Sequence, residues 1–395
     1  MPSLFLLLGS LAGIAMFGFS GLTTFILAIV TGMQVEGGQM ISPLWNVGWF
    51  SLGLAALLVP GAIVGARNLR NPDGERPIRF NLALTTILAV LFLPLVFGLI
   101  GWLAFNTAIG QNILIPALQL LIIGLFAWVV YKTARHGVSG GTQVRRFGVH
   151  LFGVMLTPTI VLLIEMLVLI FLLIIFVVWA ASQPAIVAQL QSMQDKLPEL
   201  LDNEEALKQM LAPIINNPWT VFLLIAIVGG IMPLIEELFK PLAVWFMHFR
   251  GITEREGYLY GLISGLAFGV FESFGMMANP VHDAGAWALL VASRSITTLL
   301  HMATTALTGI AIGGVNKPGG WLRLLRNLLL ATAIHAVWNT LGVLMGLKEF
   351  GADSRWIQTL GNGAPILLGL IFLLMCYILY SINLRLRVQQ ESETA

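Results

Sequence analysis

The sequence predicts an all-α membrane protein: a polytopic bundle of about ten transmembrane helices with a short amphipathic helical segment on the outer face. The 395 residues are 57% hydrophobic and only 10% charged, whereas soluble domains carry about 25% charged residues. The mean hydropathy is +0.89. Apolar runs of about 20 residues, the length of a helix that crosses a bilayer, recur along the chain. These observations exclude a soluble enzyme, a disordered chain and a nucleic-acid-binding module.

Ten segments are long and apolar enough to span the membrane as helices. In chain order they are 4–31, 42–66, 81–105, 113–131, 151–180, 219–247, 257–279, 284–315, 323–347 and 360–382. The single cysteine, Cys376, lies in the last segment, so the sequence excludes an intramolecular disulfide and a cysteine metal cluster.

The basic residues alternate between the two sides of these spans. Fifteen of the 21 Lys and Arg residues lie in loops 67–80, 132–150, 248–256 and 316–322, at the start of the ninth span, or in the C-terminal tail. Four lie in the intervening loops. Because cytoplasmic loops are enriched in Lys and Arg, we expect both termini in the cytoplasm and an even number of spans. The net charge of +2 gives no indication of a polyanionic partner.

Residues 181–218 form the one long predicted segment outside the membrane. Its apolar residues recur at helical spacing, its charge is acidic, and Pro198 interrupts the pattern. These features predict two short amphipathic helices on the outer face. Such a segment is either a surface cap or a lid that admits substrate.

Ionisable residues divide the spans into two groups. The first five spans, within 1–180, contain one acid, Glu165, which we expect to be protonated or hydrogen-bonded to a neighbour. The remaining intramembrane ionisable residues lie within 219–347. We therefore predict an N-terminal scaffold, the outer segment, a functional core, and a last span with a cytoplasmic tail (348–395).

Seven ionisable side chains lie inside spans six to nine, where each charged group costs about 2.5–3.5 kcal/mol on insertion scales. They are Glu236, Glu237, Lys240, Glu272, Arg294, His301 and His335. This cost makes intramembrane ionisable residues candidates for a functional site.

Span six contains the sequence PLIEELFKP. Lys240 follows Glu236 by four residues and Glu237 by three, so it can approach either carboxylate within one helical turn. Pro233 and Pro241 each remove a backbone donor, which frees carbonyl groups or opens room for water. A structural ion pair between helices is the alternative interpretation.

Span seven contains a glycine at every fourth position. Gly257, Gly261, Gly265 and Gly269 form one stripe, which predicts close packing against a neighbouring helix. That packing would bring Glu272 near the polar groups of the neighbour.

Spans eight and nine add polar groups on single helix faces. Arg294, Thr298 and His301 share one face, and Arg294 is expected to neutralise a carboxylate on a neighbouring helix. A neutral His301 can act as a base or a ligand, or be a hydrogen-bonded core residue. His335 and Asn339 lie one turn apart, and both can donate hydrogen bonds to an oxyanion.

These motifs resemble those of the PrsW family of intramembrane proteases, which belongs to a superfamily with CAAX-processing and bacteriocin-processing proteases. The resemblance rests on EELFK (236–240), FGVFE (268–272), a mid-helix His301 and HAVWN (335–339), in this order on consecutive spans. It covers about 219–347, a third of the chain. It implies an endopeptidase that hydrolyses a peptide bond in or near the membrane.

The resemblance also implies roles for individual residues. Glu236 or Glu237 would be the general base, and Lys240 would tune or anchor this pair. Glu272 stands where CAAX relatives carry a histidine, and His301 would take the partner role.

In the same comparison, His335 and Asn339 would hold the oxyanion. The sequence has no HExxH motif, and we favour a metal-free glutamate mechanism with no cofactor. A zinc site is the alternative. Its ligands would come from Glu237, Glu272, His301 and His335.

The founding PrsW type begins the destruction of a membrane anti-sigma factor in bacteria. The resemblance therefore implies a single-span membrane protein as substrate, regulated proteolysis as the role, and the bacterial cytoplasmic membrane as the location. Two other functions remain open from the residues alone. A proton-coupled transporter also combines broken helices with paired charges, and an inactive relative would bind transmembrane helices without cutting them.

Overall fold

The chain folds into helices in the computed structural model, and none of the described residues lies in a β-strand. The structure describes residues 1–34, 43–71, 84–182, 187, 204–276 and 283–394. The prediction of an all-α membrane bundle is therefore confirmed.

The described helices are numbered in chain order. They are α1 (Pro2–Gln34), α2 (Pro43–Arg70), α3 (Leu84–Ala104), α4 (Ile115–Ala134), α5 (Gln143–Ala181), α6 (Glu204–Ile215), α7 (Pro218–Leu224), α8 (Met232–Phe239), α9 (Leu242–His248), α10 (Glu254–Gly275), α11 (Ala284–Gly313), α12 (Gly320–Glu349) and α13 (Arg355–Thr394). π-Helical turns precede α4 (Gly110–Leu114) and join α7 to α8 (Ile225–Ile231).

Eight segments of the described chain are long and apolar enough to cross a membrane, and each corresponds to a predicted span. They are Pro2–Thr31, Pro43–Arg70, Gly110–Ala134, Gln143–Trp179, Pro218–His248, Ala284–Gly313, Gly320–Glu349 and Arg355–Glu393. The other two predicted spans correspond to α3, of which Leu95–Ala104 is a shorter apolar helix, and to α10. The glycines and Glu272 lower the hydropathy of α10. Residues 81–83 and 277–279 of these two spans lie outside the described residues.

The helices pack into two units. Unit 1 consists of Met1–Pro158, Lys240–Leu328 and Met375–Ala395, and unit 2 consists of Thr159–Phe239 and Leu329–Leu374. The predicted linear division into a scaffold, an outer segment and a core concerns function and stays a prediction.

In unit 1 the glycine stripe of α10 packs directly on the backbone of α11. A Cβ added to Gly257, Gly261 or Gly265 would overlap a carbonyl oxygen of α11, and at Gly265 that oxygen belongs to His301. The close approach that the sequence predicts is therefore present. It brings the polar side chains on the facing sides of α10 and α11 within hydrogen-bonding distance.

A capping box fixes the start of α10. The Thr253 hydroxyl accepts a hydrogen bond from the Glu256 backbone N–H (3.2 Å), and the Glu256 carboxylate accepts one from the Thr253 N–H (3.0 Å). This arrangement satisfies backbone donors that the first helical turn leaves without partners.

Glu254, in the first turn of α10, binds three basic residues at one end of unit 1. Its carboxylate lies 3.1 Å from Lys317 Nζ, 2.8 Å from Arg323 Nη1 and 2.9 Å from Arg385 Nη2. Burial alone would raise the pKa of Glu254, but the hydrogen bond from Lys317 and the charge of Arg323 hold it below its usual value. The start of α10, the loop before α12, the first turn of α12 and the late part of α13 thus meet at one end of unit 1.

The end of α13 is also tied to the end of α4 on this side. The Asn383 amide donates to the carbonyl oxygens of Ala134 (2.7 Å) and His136 (2.8 Å). The basic loop 132–150 therefore begins beside the C-terminal tail.

Unit 2 has its own apolar cluster, formed by Val221, Leu344, Leu347 and Ile357 among others. A polar contact closes one end of it, where the Asp353 N–H donates to Asn216 Oδ1 (2.7 Å) and joins the end of α6 to the turn before α13. Of the predicted amphipathic outer segment, helix α6 is described, and 183–186 and 188–203 lie outside the described residues.

Candidate active site

Span six is a broken helix, and the break places its two glutamates on a short separate helix. After α7, the chain makes the π-helical turn Ile225–Ile231 and continues as α8, which carries Glu236 and Glu237 and ends at Phe239. Pro241 then precedes α9. Since π-helical turns and proline breaks are frequent at functional sites in membrane helices, this segment is a candidate site.

Asn339 of α12 binds the π-helical turn through its side chain. The Met232 N–H donates to the Ile227 carbonyl, five residues back. The next such bond would run from residue 233 to Val228, but Pro233 has no N–H. The Asn339 amide donates to the Val228 carbonyl instead, at 3.1 Å. The carbonyl that the proline leaves without a helical donor thus fixes the orientation of Asn339.

Glu237 and His335 form a buried pair in unit 2. Glu237 Oε1 lies 2.8 Å from His335 Nδ1, and both side chains are almost fully buried, as is the neighbouring Glu236. An ionised carboxylate only accepts hydrogen bonds, so the Nδ1–H group of His335 is the donor in this pair.

Glu272 and His301 form a second pair in unit 1. Glu272 Oε2 lies 2.6 Å from His301 Nε2, and Glu272 Oε1 lies 3.0 Å from Arg294 Nη2. Arg294 thus contacts a carboxylate of the neighbouring helix, as the sequence suggests. A carboxylate accepts hydrogen bonds, so the Nε2–H group of His301 is the donor in this pair.

Two hydroxyl groups fix the register of the helices that carry this second pair. Ser273 Oγ lies 3.1 Å from Thr298 Oγ1, and Ser273 Oγ donates to the carbonyl oxygen of Arg294 at 3.2 Å. Ser273 was not among the residues predicted from the sequence, although it directly follows Glu272 and faces the same helix.

Phe268 lies between His301 and Lys240 in unit 1. Its ring centroid is 5.3 Å from that of His301 and 4.9 Å from Lys240 Nζ. Lys240 is fully buried, and its carbonyl oxygen accepts a hydrogen bond from Ser264 Oγ at 2.5 Å. The ammonium group therefore has a cation–π contact with Phe268, and its predicted effect on the two glutamates stays a prediction.

The structure thus brings together Glu237 with His335, and Glu272 with His301 and Arg294, which we call the two carboxylate–histidine pairs. All of these residues are candidates from the sequence alone, but the sequence predicted neither the Glu237–His335 bond nor the bond from Asn339 to Val228. Pro233 indicates that a carbonyl in the preceding turn lacks a backbone donor, but it does not identify Asn339 as the side chain that binds this carbonyl.

The model of one protein family, described as PrsW family intramembrane metalloprotease, matches residues 159–374, more than half of the chain. The chain belongs to this family. The match confirms the resemblance seen in the motifs and extends it beyond 219–347 in both directions. It includes every residue of both carboxylate–histidine pairs. No match was found among curated proteins or among solved structures.

Membership of the family makes the protein an integral membrane protein that lies in the lipid bilayer, and it supports intramembrane protease activity. The description as a metalloprotease also implies a metal ion. Metal-ligating histidines almost always donate their second ring N–H to a carboxylate or a carbonyl, and His301 and His335 both bind a carboxylate through one ring nitrogen. Imidazole and carboxylate donors are ligands that zinc accepts. The residues present therefore suit zinc.

Proposed function

We propose that this protein is a zinc-dependent intramembrane endopeptidase that cleaves a single-span membrane protein in or near the bilayer. The observation that carries the proposal is the matching chemistry of the two carboxylate–histidine pairs. In each pair a carboxylate accepts a hydrogen bond from one ring nitrogen of a buried histidine, which is the support that carboxylates give to metal-ligating histidines.

In this proposal His301 and His335 are the histidine ligands, and Glu272 and Glu237 position them. When bound, zinc polarises the peptide carbonyl and lowers the pKa of its water to about 7. Arg294 contacts the second oxygen of Glu272 in a 3.0 Å ion pair and so helps to orient this carboxylate. This assignment replaces the metal-free mechanism that the sequence alone favours, and chelation distinguishes the two.

Glu236 is the proposed general base. Its carboxylate is buried one residue before Glu237, which makes it suited to accept the proton of the attacking water and pass it to the leaving amine. Glu237 is already engaged with His335 at 2.8 Å, so we assign it the positioning role.

Asn339 is the proposed oxyanion donor. One N–H of its amide binds Val228, which fixes the plane of the group, and the second N–H of the same nitrogen can donate to the oxyanion. His335 is a poorer candidate for this role than the sequence suggests, because its Nδ1–H group already binds Glu237.

We further propose that the substrate is a regulatory protein with one membrane span, such as an anti-sigma factor, and that its cleavage is a step in regulated proteolysis. The protein would lie in the cytoplasmic membrane of a bacterium with both termini in the cytoplasm, as the distribution of Lys and Arg favours. The substrate helix must unwind locally, because the N–H and C=O groups of a helical peptide bond are engaged in the hydrogen bonds of the helix and are not accessible to a catalytic site.

The test is cleavage of a single-span substrate by the purified protein in liposomes, with products identified by mass spectrometry. Glu236→Gln and His335→Ala should abolish cleavage, whereas Glu165→Gln, a matched change of an intramembrane glutamate on α5, should preserve it. A chelator should stop the reaction and zinc should restore it. Full cleavage by both site variants would refute the assignment, and proton-coupled solute flux without cleavage would favour a transporter.

A further inference from the structure

Unit 1 contains a cavity of about 530 Å³ between α2, α4, α5 and α10. This volume lies within the usual range of small-molecule sites, about 300–1,000 Å³. None of the residues that line it belongs to either carboxylate–histidine pair. The cavity is therefore distinct from the proposed active site.

One part of the cavity wall is apolar. Leu57 and Pro60 of α2, Phe147 of α5, and Ile263 and Leu266 of α10 line it. These side chains suit a hydrocarbon chain and offer no hydrogen bond to a polar solute.

The other part is basic. Lys132 in the last turn of α4, Arg135 just after it and Arg146 in the first turn of α5 all line the cavity, and the described lining contains no Asp or Glu. Three positive charges around one cavity, without an acid among its lining residues, favour an anionic ligand group.

Two of these cations make cation–π contacts with aromatic rings. Lys132 Nζ lies 5.7 Å from the ring centroid of Trp128, and the guanidinium of Arg135 lies 5.2 Å from that of Tyr131. Trp and Tyr concentrate at the level of lipid headgroups. Lys132 and Arg135 lie at the end of α4, in the region that the charge pattern predicts to face the cytoplasm. The basic part of the cavity is therefore expected at the level of the lipid headgroups.

We propose that this cavity binds an anionic phospholipid of the cytoplasmic leaflet. The phosphate lies among Lys132, Arg135 and Arg146, and the acyl chains follow the wall formed by Leu57 and Leu266. Basic pockets between transmembrane helices on the cytoplasmic side recognise anionic headgroups in this way. The apolar wall distinguishes a lipid from a free phosphate, because only a lipid fills both parts.

The test measures lipid binding to the purified full-length protein by native mass spectrometry, with phosphatidylglycerol, phosphatidylcholine and inorganic phosphate as separate probes. Phosphatidylglycerol should bind at least tenfold more tightly than the other two. Arg135→Gln/Arg146→Gln should lower its affinity at least tenfold. The matched control Arg255→Gln/Arg387→Gln, which removes two charges outside the cavity lining, should change it less than twofold.

Leu266→Trp provides a second variant that fills the apolar part and keeps every charge. It should lower phosphatidylglycerol affinity at least fivefold. If the double arginine variant fails to fold, this variant tests the proposed lipid site by itself. Equal binding of phosphatidylcholine, displacement by inorganic phosphate at similar concentration, or unchanged affinity in Leu266→Trp would each overturn the proposal.

Discussion

Glu237 Oε1 lies 2.8 Å from Nδ1 of His335, and both side chains are buried. A hydrogen-bonded carboxylate sets the tautomer of a histidine and raises its basicity as a ligand. This relationship makes Glu237 a positioning residue, and it separates the roles of two adjacent glutamates that the sequence leaves equivalent.

Glu237→Gln should weaken zinc binding and cleavage together. Glutamine keeps the size of the side chain but removes the charge, and loss of such a carboxylate lowers metal affinity or activity about 10–100-fold. Zinc titration and initial cleavage rates measure the two effects. Glu165→Gln is the matched control, and normal zinc affinity in Glu237→Gln would contradict the positioning role.

Asn339→Ala should lower kcat more than it raises KM. Loss of one oxyanion donor typically lowers kcat about 10²–10³-fold, while the bond to Val228 that is also lost affects local structure. Steady-state kinetics separate the two roles, with thermal unfolding measured alongside. A lower unfolding temperature with unchanged kcat would show that Asn339 is structural only.

Gly265→Ala should destabilise the pair of helices α10 and α11, because its Cβ would overlap the carbonyl oxygen of His301. Overpacking of this kind costs about 1–3 kcal/mol of unfolding free energy. Gly148→Ala on α5 is the control, since its Cβ would meet no atom within 4 Å. Thermal unfolding in detergent gives both values, and equal unfolding temperatures would contradict close packing at the stripe.

Stability should fall at acidic pH through Glu254. Its pKa is lowered in the folded protein by Lys317 and Arg323, so its contribution is complete above the unfolded pKa and is lost as the pH falls through the folded pKa. Glu254→Gln should cost about 1–3 kcal/mol at neutral pH, because it removes the charge that pairs with three cations. Lys317 and Arg385 are exposed and can be rehydrated, which limits the cost.

Unfolding temperatures of the wild type and Glu254→Gln, compared between pH 7 and pH 3, check this prediction. The difference between them should shrink as the pH falls. A difference that stays constant over this range would show that the charge of Glu254 does not contribute.

The sequence predicted the features of this protein that follow from solvation and helical spacing. Charges are costly in a membrane, so Glu272 and Arg294 were visible against their apolar surroundings, and the four-residue repeat of glycines predicted the close approach of two helices. Both depend on local spacing and on residue type.

The contacts between side chains on distant helices could not be predicted from the sequence. His335 and Glu237 are 98 residues apart, and nothing in either motif specifies which nitrogen faces which carboxylate. The bond from Asn339 to Val228 depends on the π-helical turn before Pro233, and apolar residues in such a turn carry no distinct sequence signal. Tertiary packing decides these contacts.

The central claim is that both carboxylate–histidine pairs serve one hydrolytic reaction. Single-turnover cleavage rates of Glu237→Gln, Glu272→Gln and the double variant test it most directly, since residues that act as a unit have strongly non-additive effects. We predict that each single variant loses most of the activity and that the double variant is within about threefold of the worse single variant. Losses that multiply in the double variant, or normal cleavage by either single variant, would contradict the claim.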